Sequence, residues 1–433
     1  MLRLLAPALL LATAATAQPI PADRLRAATT ADTARNEALL ERLVNQNSGT
    51  LNAPGVKAVG DIMRAELEPL GFQVRWVDMS AAKRSGHLIA TKRGGKRGKR
   101  LLLIGHLDTV FEPSSPFQRY SREGTRATGP GIGDDKGGLV VIVGALRAMR
   151  AAGTLKAADI TVVLTGDEER PGQPTATARA DLIAAGKQAD AALEYENVAS
   201  EGGRDFATIA RRSGSAWQLT VTGRTGHSSG VFNRSLGFGA IYETARILDT
   251  FRRELIEQHA TFNVGLVAGG TPAAIDASGT AVTATGKTNI VASTTIARGD
   301  LRTLTPEQDA RLRARMGTIV ADNLPGTSAK LEFYDTTPPV APTDGNRALL
   351  ATLNAVNVEL GLPEMPEFDP DKRGAADSGF VAADVAVLGG LGAVGGGAHA
   401  DGEWIDLSSL PRQALRSAAL IGRLAAQPRG RRP

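Results

Sequence analysis

Leu101-Leu102-Leu103-Ile104-Gly105-His106-Leu107-Asp108-Thr109 is an apolar run that stops on a histidine, with a carboxylate two residues later. Bounded by Arg100 and by polar residues, it reads as a fully buried strand of a parallel sheet. In open α/β sheets the ligand site lies beyond the carboxyl ends of the strands, so His106 and Asp108 stand where chemistry is expected. The test of that expectation is whether other strand ends deliver matching groups.

They do. Ile160-Thr161-Val162-Val163-Leu164 is a second buried strand and ends on Gly166-Asp167-Glu168-Glu169. Consecutive carboxylates there are costly unless a cation compensates their charge. Ala189 to Leu193 is a third, ending on Glu194-Tyr195-Glu196, whose two glutamates face the same way because side chains alternate along a strand. Gly129-Pro130-Gly131-Ile132-Gly133-Asp134-Asp135-Lys136-Gly137-Gly138 turns tightly ahead of an apolar helix from Leu139 to Met149. Two adjacent carboxylates would repel a phosphate, and no P-loop pattern is present. Strand Val385-Ala386-Val387-Leu388 is followed by a glycine-rich run reaching Ala398-His399-Ala400.

At 433 residues the chain exceeds one compact core, and two domains are expected. It contains no cysteine, which excludes thiolate catalysis, disulfides and cysteine-ligated metals. Net charge is +5, but the basic residues are dispersed apart from Lys92–Arg100 and Arg429–Arg432, so no nucleic-acid partner is expected. Met1-Leu2-Arg3, the apolar Leu4–Ala14 and Ala15-Thr16-Ala17 form a secretory leader, residues 1–17. Export to the periplasm or medium follows, with no membrane contact after cleavage.

Helices are expected over 31–45 and 54–68, then a strand at Phe72–Trp76 and another at Leu88-Ile89-Ala90. From Ser213 the character changes: Trp217-Gln218-Leu219-Thr220-Val221 alternates, and Ile241, Ala245, Leu248, Phe251 and Leu255 mark a long amphipathic helix. Residues 213–333 read as an inserted α+β domain between two parts of an α/β catalytic domain, 18–212 and 334–433. The fold class is therefore a mixed, mostly parallel sheet flanked by helices, with that insertion. A helix at 346–360 and a last one through Leu415, Ala419 and Leu420 close the chain.

His106, Asp134, Glu169, a glutamate at 194 or 196, and His399 thus fall at the ends of one sheet. A histidine plus carboxylates for each of two metals, with one shared carboxylate, is a two-metal hydrolase set; imidazole and oxygen ligands suit zinc, with manganese or cobalt as alternatives. Two zinc ions roughly 3.5–4 Å apart hold a hydroxide and polarise a carbonyl. Glu168 is free to shuttle protons, and Asp108 is placed to receive the second ring N–H of His106.

His106-x-Asp108, Gly-x-x-Asp134-Asp135-Lys136-Gly-Gly, Asp-Glu168-Glu169 and His399 resemble the co-catalytic zinc metallopeptidases of the aminoacylase and glutamate carboxypeptidase family. The resemblance runs from Asn47-Ser48-Gly49-Thr50 to the last helix. It is strongest to the secreted bacterial glutamate carboxypeptidases of the folate-cleaving carboxypeptidase G type. It implies a metallocarboxypeptidase releasing a C-terminal amino acid from peptides or N-acyl amino acids, or an aminoacylase-like amidohydrolase. It assigns Asp134 as bridge, Glu168 as general base, Glu196 with His106 to one metal, and Glu169 with His399 to the other. It makes the insertion a lid and dimerisation domain, with His227 of Gly226-His227-Ser228 stabilising the oxyanion. Asn289 and Arg302 in the lid, Arg204 soon after Glu196, and Arg373 are candidates for gripping a substrate carboxylate, arginine being suited by its bidentate fork. Two departures bear on specificity: Thr336-Thr337-Pro338 lacks the arginine that glutamate-releasing relatives carry before the proline, and Gly374-Ala375-Ala376-Asp377 replaces Gly-Gly-Thr-Asp.

Two competing readings remain. Gly226-His227-Ser228-Ser229-Gly230 fits the G-x-S-x-G nucleophile elbow, although the strand before it lacks the buried run of a central sheet. A binding module with a dead metal site would show a lost ligand, and every position is filled. His259 is expected on a surface helix and His87 at a loop or strand edge.

Overall fold

The computed structural model describes residues 20–429 apart from Ser278, so the expected leader lies outside the described residues. Arg100–His106 is an interior strand of a six-stranded sheet ordered Gln73–Asp78, Gly86–Lys92, Asp159–Thr165, Arg100–His106, Ala191–Glu194, Val387–Leu388. It runs parallel to both neighbours, and only Gly86–Lys92 opposes the strands beside it. Alternation sends Leu101 and Leu103 into a cluster with the helices Thr33–Asn45, Gly137–Ala151 and Ser409–Ala426. It sends Leu102 and Ile104 against Val163, Leu182, Val381 and Val387 on the other face. Burial on both faces is why the run is apolar without interruption, each leucine contributing roughly 1.5–3 kcal/mol. Gly105 is required because a Cβ there would lie 2.6 Å from Asp135 Oδ2.

Between Gly214 and Thr337 the chain builds a separate antiparallel sheet: Thr261–Phe262, Thr294–Arg302, Gly214–Gly223, Thr327–Thr337, with Leu266–Gly270 also against Thr294–Arg302. Ser215, Trp217, Leu219 and Val221 alternate inward. Trp217, Leu219 and Val221 join Ile247, Phe251 and Met316, from the covering helices Gly239–Glu254 and Pro306–Ala321, in a core of their own. The chain enters and leaves this sheet at a waist where Arg211 and Val340 exchange backbone hydrogen bonds of 3.0 and 2.9 Å.

Several boundaries differ from expectation. A helix at Ala22–Ala31 precedes the two anticipated ones, which run Thr33–Asn45 and Ala53–Leu67; it buries only Leu25 and Thr29, too little for a visible stripe. The strand expected over 385–388 pairs only at Val387 and Leu388, along the short Ala191–Glu194 strand. A small sheet of Gly395–Gly396, Trp404–Asp406, Arg126–Thr128 and Ser121–Glu123 was not expected, since strands this short carry no periodicity.

Candidate metal and catalytic centre

Asp134 is the meeting point of three chain segments. Its Oδ1 lies 3.0 Å from His106 Nε2 and its Oδ2 lies 3.1 Å from His399 Nε2. Glu169 Oε2 is 3.1 Å from the same His399 nitrogen. Ligand atoms of His106, Asp134 and Glu169 all lie within 4.8 Å of one another. One carboxylate thus offers a separate oxygen to each of two imidazoles, the arrangement a shared bridging ligand requires.

The electrostatics show how incomplete this cluster is as a set of protein groups alone. Burial opposes charge on His106, yet Asp108, Asp134 and Glu168 together raise its pKa well above the usual imidazole value. Hydrogen bonds to Asp134 and Glu169 push His399 up to about 11. Burial, with the neighbouring carboxylates adding to it, raises Glu168 well above its usual range despite the opposing His106 charge. Carboxylates this crowded are in want of cations, and metal ions would take the place of the ring protons. Imidazole and carboxylate oxygen donors without sulfur fit borderline and hard divalent metals.

Asp108 stands beside the His106 ring and also holds the neighbouring turn. His106 Nδ1 is nearer the backbone oxygen of Asp108, at 3.1 Å, than its carboxylate, at 3.5 Å. The carboxylate accepts from Thr50 Oγ1 at 2.6 Å and from the backbone N–H of Glu168 and Glu169 at 3.0 and 3.2 Å. It therefore fixes the Glu168–Glu169 turn against the strand that carries His106. Glu196 stands just outside the cluster, its Oε2 2.6 Å from Arg211 Nη2, which also lies 2.7 Å from Glu194 Oε2. Burial lifts Glu196 to about 7 against the pull of Arg211.

A sequence profile of peptidase family M20/M25/M40 matches residues 102–423, the span that holds every group in this cluster. The chain belongs to that family. This M20 enzyme is 30% identical over 400 residues to carboxypeptidase G2 of Pseudomonas sp. (strain RS-16), covering 89% of this chain and 88% of that protein. It is 30% identical over 199 residues to a succinyl-diaminopimelate desuccinylase of Leptothrix cholodnii, 44% of this chain and 51% of that one. Among solved structures, a tripeptidase of Staphylococcus aureus superposes with a TM-score of 0.69 at 19% identity, covering 94% of this chain and 100% of that one. A dinuclear metal-binding M20 peptidase of Bacillus subtilis gives 0.62 at 15% identity, covering 92% and 99%. The α/β fold is thus that of the M20 peptidases, and the M20 enzyme is a metal-dependent metallopeptidase or amidohydrolase.

The remaining expected residues of the M20 enzyme divide sharply. Arg373 reaches the site: its guanidinium donates to Asn197 Oδ1 and O at 3.2 and 2.6 Å, and burial with the nearby Arg211 charge lowers it to about 10. Arg204 is exposed on a hairpin with Phe206 and Ala199, and Arg302 is paired with Asp300 at 3.0 Å. In the insertion, His227 and Asn289 are neighbours: Ser228 N donates to Asn289 O at 2.9 Å, and His227 pairs with Ile290. His227 is exposed and its Nδ1 lies 2.9 Å from Ser229 Oγ. Ser228 sits in a short turn of the antiparallel sheet rather than between a central strand and a helix, so the elbow is not built.

Two histidines fall elsewhere than expected. His87 is buried on Gly86–Lys92, with Nε2 2.8 Å from Ala178 O and Nδ1 accepting from Gly166 N at 3.1 Å. His259 lies beyond the end of the helix Gly239–Glu254, at φ +61°, 3.1 Å from Asp371. Sequence reasoning missed Arg211, Glu403 and the buried set in which Arg179 joins Asp167 at 2.5 Å and Asp377 at 2.8 Å. Arg211 follows an apolar Ile-Ala pair ahead of the insertion, a cation in a buried setting that could have drawn notice.

Proposed function

We propose that this M20 enzyme is a dizinc carboxypeptidase that releases a C-terminal amino acid, glutamate-type favoured, from small peptides or N-acyl amino acids. The supporting observation is Asp134 set between His106 and His399 with Glu169 beside it. His106, Asp134 and Glu196 would hold one ion, and Asp134, Glu169 and His399 the other. When bound, zinc, or manganese or cobalt in its place, supplies the Lewis acidity that polarises the scissile carbonyl. Glu168, buried beside the cluster, takes a proton from the attacking water and delivers it to the leaving amine. Arg373 offers its cation to the substrate carboxylate. The insertion acts as a lid that brings His227 to the developing oxyanion. Export to the periplasm through residues 1–17, and a homodimer formed through the lid, complete the proposal. Exposed Phe232, Ile241, Tyr242 and Val267 on the insertion support the dimer.

One observation favours an N-acyl-amino-acid amidohydrolase with a different side-chain preference. Thr337, the residue before Pro338 where the arginine is missing, offers no cation. Metal analysis of purified protein, paired with hydrolysis of a panel of N-acylated and C-terminal amino acids before and after chelation and zinc return, tests both readings. About two metals per chain with chelator-sensitive cleavage of glutamate substrates is expected. Chelator-resistant activity yielding to a serine-directed reagent would overturn the metal mechanism, and a non-glutamate optimum would select the amidohydrolase.

A further inference from the structure

Glu403 is 1% exposed and takes no part in the chemistry above. A carboxylate buried this fully calls for a reason. Its two oxygens are spent entirely on the loop that carries Asp134. Oε2 accepts from Gly131 N at 2.9 Å, and Oε1 accepts from Gly133 N at 2.7 Å and from Asp134 N at 2.9 Å. The backbone repeats the connection: Gly129 N donates to Glu403 O at 3.1 Å, and Trp404–Asp406 pairs with Arg126–Thr128. Glu403 itself follows His399 by four residues, on a loop that returns through the hydrogen bond from Glu403 N to Ala400 O.

His399 is more than half exposed, sits at φ +65°, and holds its Nε2 3.1 Å from both Asp134 Oδ2 and Glu169 Oε2. We infer that Glu403 is a positioning residue: by clamping the 131–134 loop to the 399–403 loop it sets Asp134 against His399 and so defines one of the two metal positions. This inference rests on the dinuclear reading above. Carboxylates seated behind ligands in this way typically change metal affinity on the order of 10–100-fold when altered.

The experiment is zinc titration of the metal-stripped full chain against a chromophoric chelator, for wild type, Glu403→Gln and Glu403→Ala, with melting temperatures of the stripped proteins alongside. Glutamine keeps one acceptor oxygen for Gly133 and Asp134 but turns an amide NH2 towards Gly131 N. Expected is a wild type with two tight ions, and Glu403→Gln with one tight ion and a second weakened on the order of 10–100-fold. Two wild-type affinities in Glu403→Gln overturn the inference while leaving the dinuclear reading intact. Equal weakening of both ions together with a lowered melting temperature overturns it in favour of a general structural role. A wild type that binds no second ion brings down the dinuclear reading itself, and the inference with it. If Glu403→Ala does not fold, the glutamine variant alone decides.

Discussion

The cluster around Asp134 and the corner around His227 are built on opposite plans. The first draws its groups from segments far apart in sequence, on buried strand ends and loops cross-tied by Asp108, Arg211 and Glu403. The second is exposed, and among the described residues the ring of His227 is bonded only within its own turn, to Ser229. The difference teaches that the metal cluster is preorganised by the fold, whereas the proposed oxyanion role of His227 would require the insertion to move.

Glu168→Ala should lower turnover by roughly 10²–10⁴-fold with metal content unchanged. A variant turning over at the wild-type rate would remove Glu168 from the mechanism. Trp217→Ala should cost about 3–5 kcal/mol in the core of the insertion and leave the metal content as it is, since the two cores are separate. If metal is lost in step with lid stability, the two regions are not independent. His227→Ala should reduce turnover by about 10²-fold, the scale of a lost oxyanion donor, without changing the melting temperature. Unchanged kinetics would leave the exposed corner without a catalytic role.

A smaller effect separates the metal-free from the loaded enzyme. Burial raises Glu196 and Glu403 from 4.5 to about 7, so between those values the folded metal-free chain keeps protons that the unfolded chain has released. Its stability therefore falls as pH rises from 4.5 to 7. Asp134, lowered from 3.8, acts only below that window, and Lys136, lowered from 10.5 to about 7, only above it. Melting temperatures of the stripped protein should decline across this range and the zinc-loaded ones decline less. A stripped protein that becomes more stable with rising pH would show that the carboxylate crowding has been misread.

The parts legible in the sequence are those in which one short segment carries its whole signal. The apolar run ending at His106 announced a two-sided buried strand, and alternation at Trp217 announced a half-buried one. The supports were hidden because each depends on a partner far along the chain. Arg179 meets Asp377, Arg211 meets Glu194 and Glu196, and Glu403 meets a glycine loop some 270 residues earlier. His259 was misplaced because its helix stops short of it at Glu254, where nothing in the charged pattern marks an end.

The waist of the insertion has a mechanical consequence. Arg211 crosses from one body to the other, bonded to Val340 through its backbone and to Glu194 and Glu196 through its side chain. On the proposed lid role, the insertion is a lever whose fulcrum lies against the centre. A swing of that kind would turn the short arm by little, and that small turn would bear directly on Glu196.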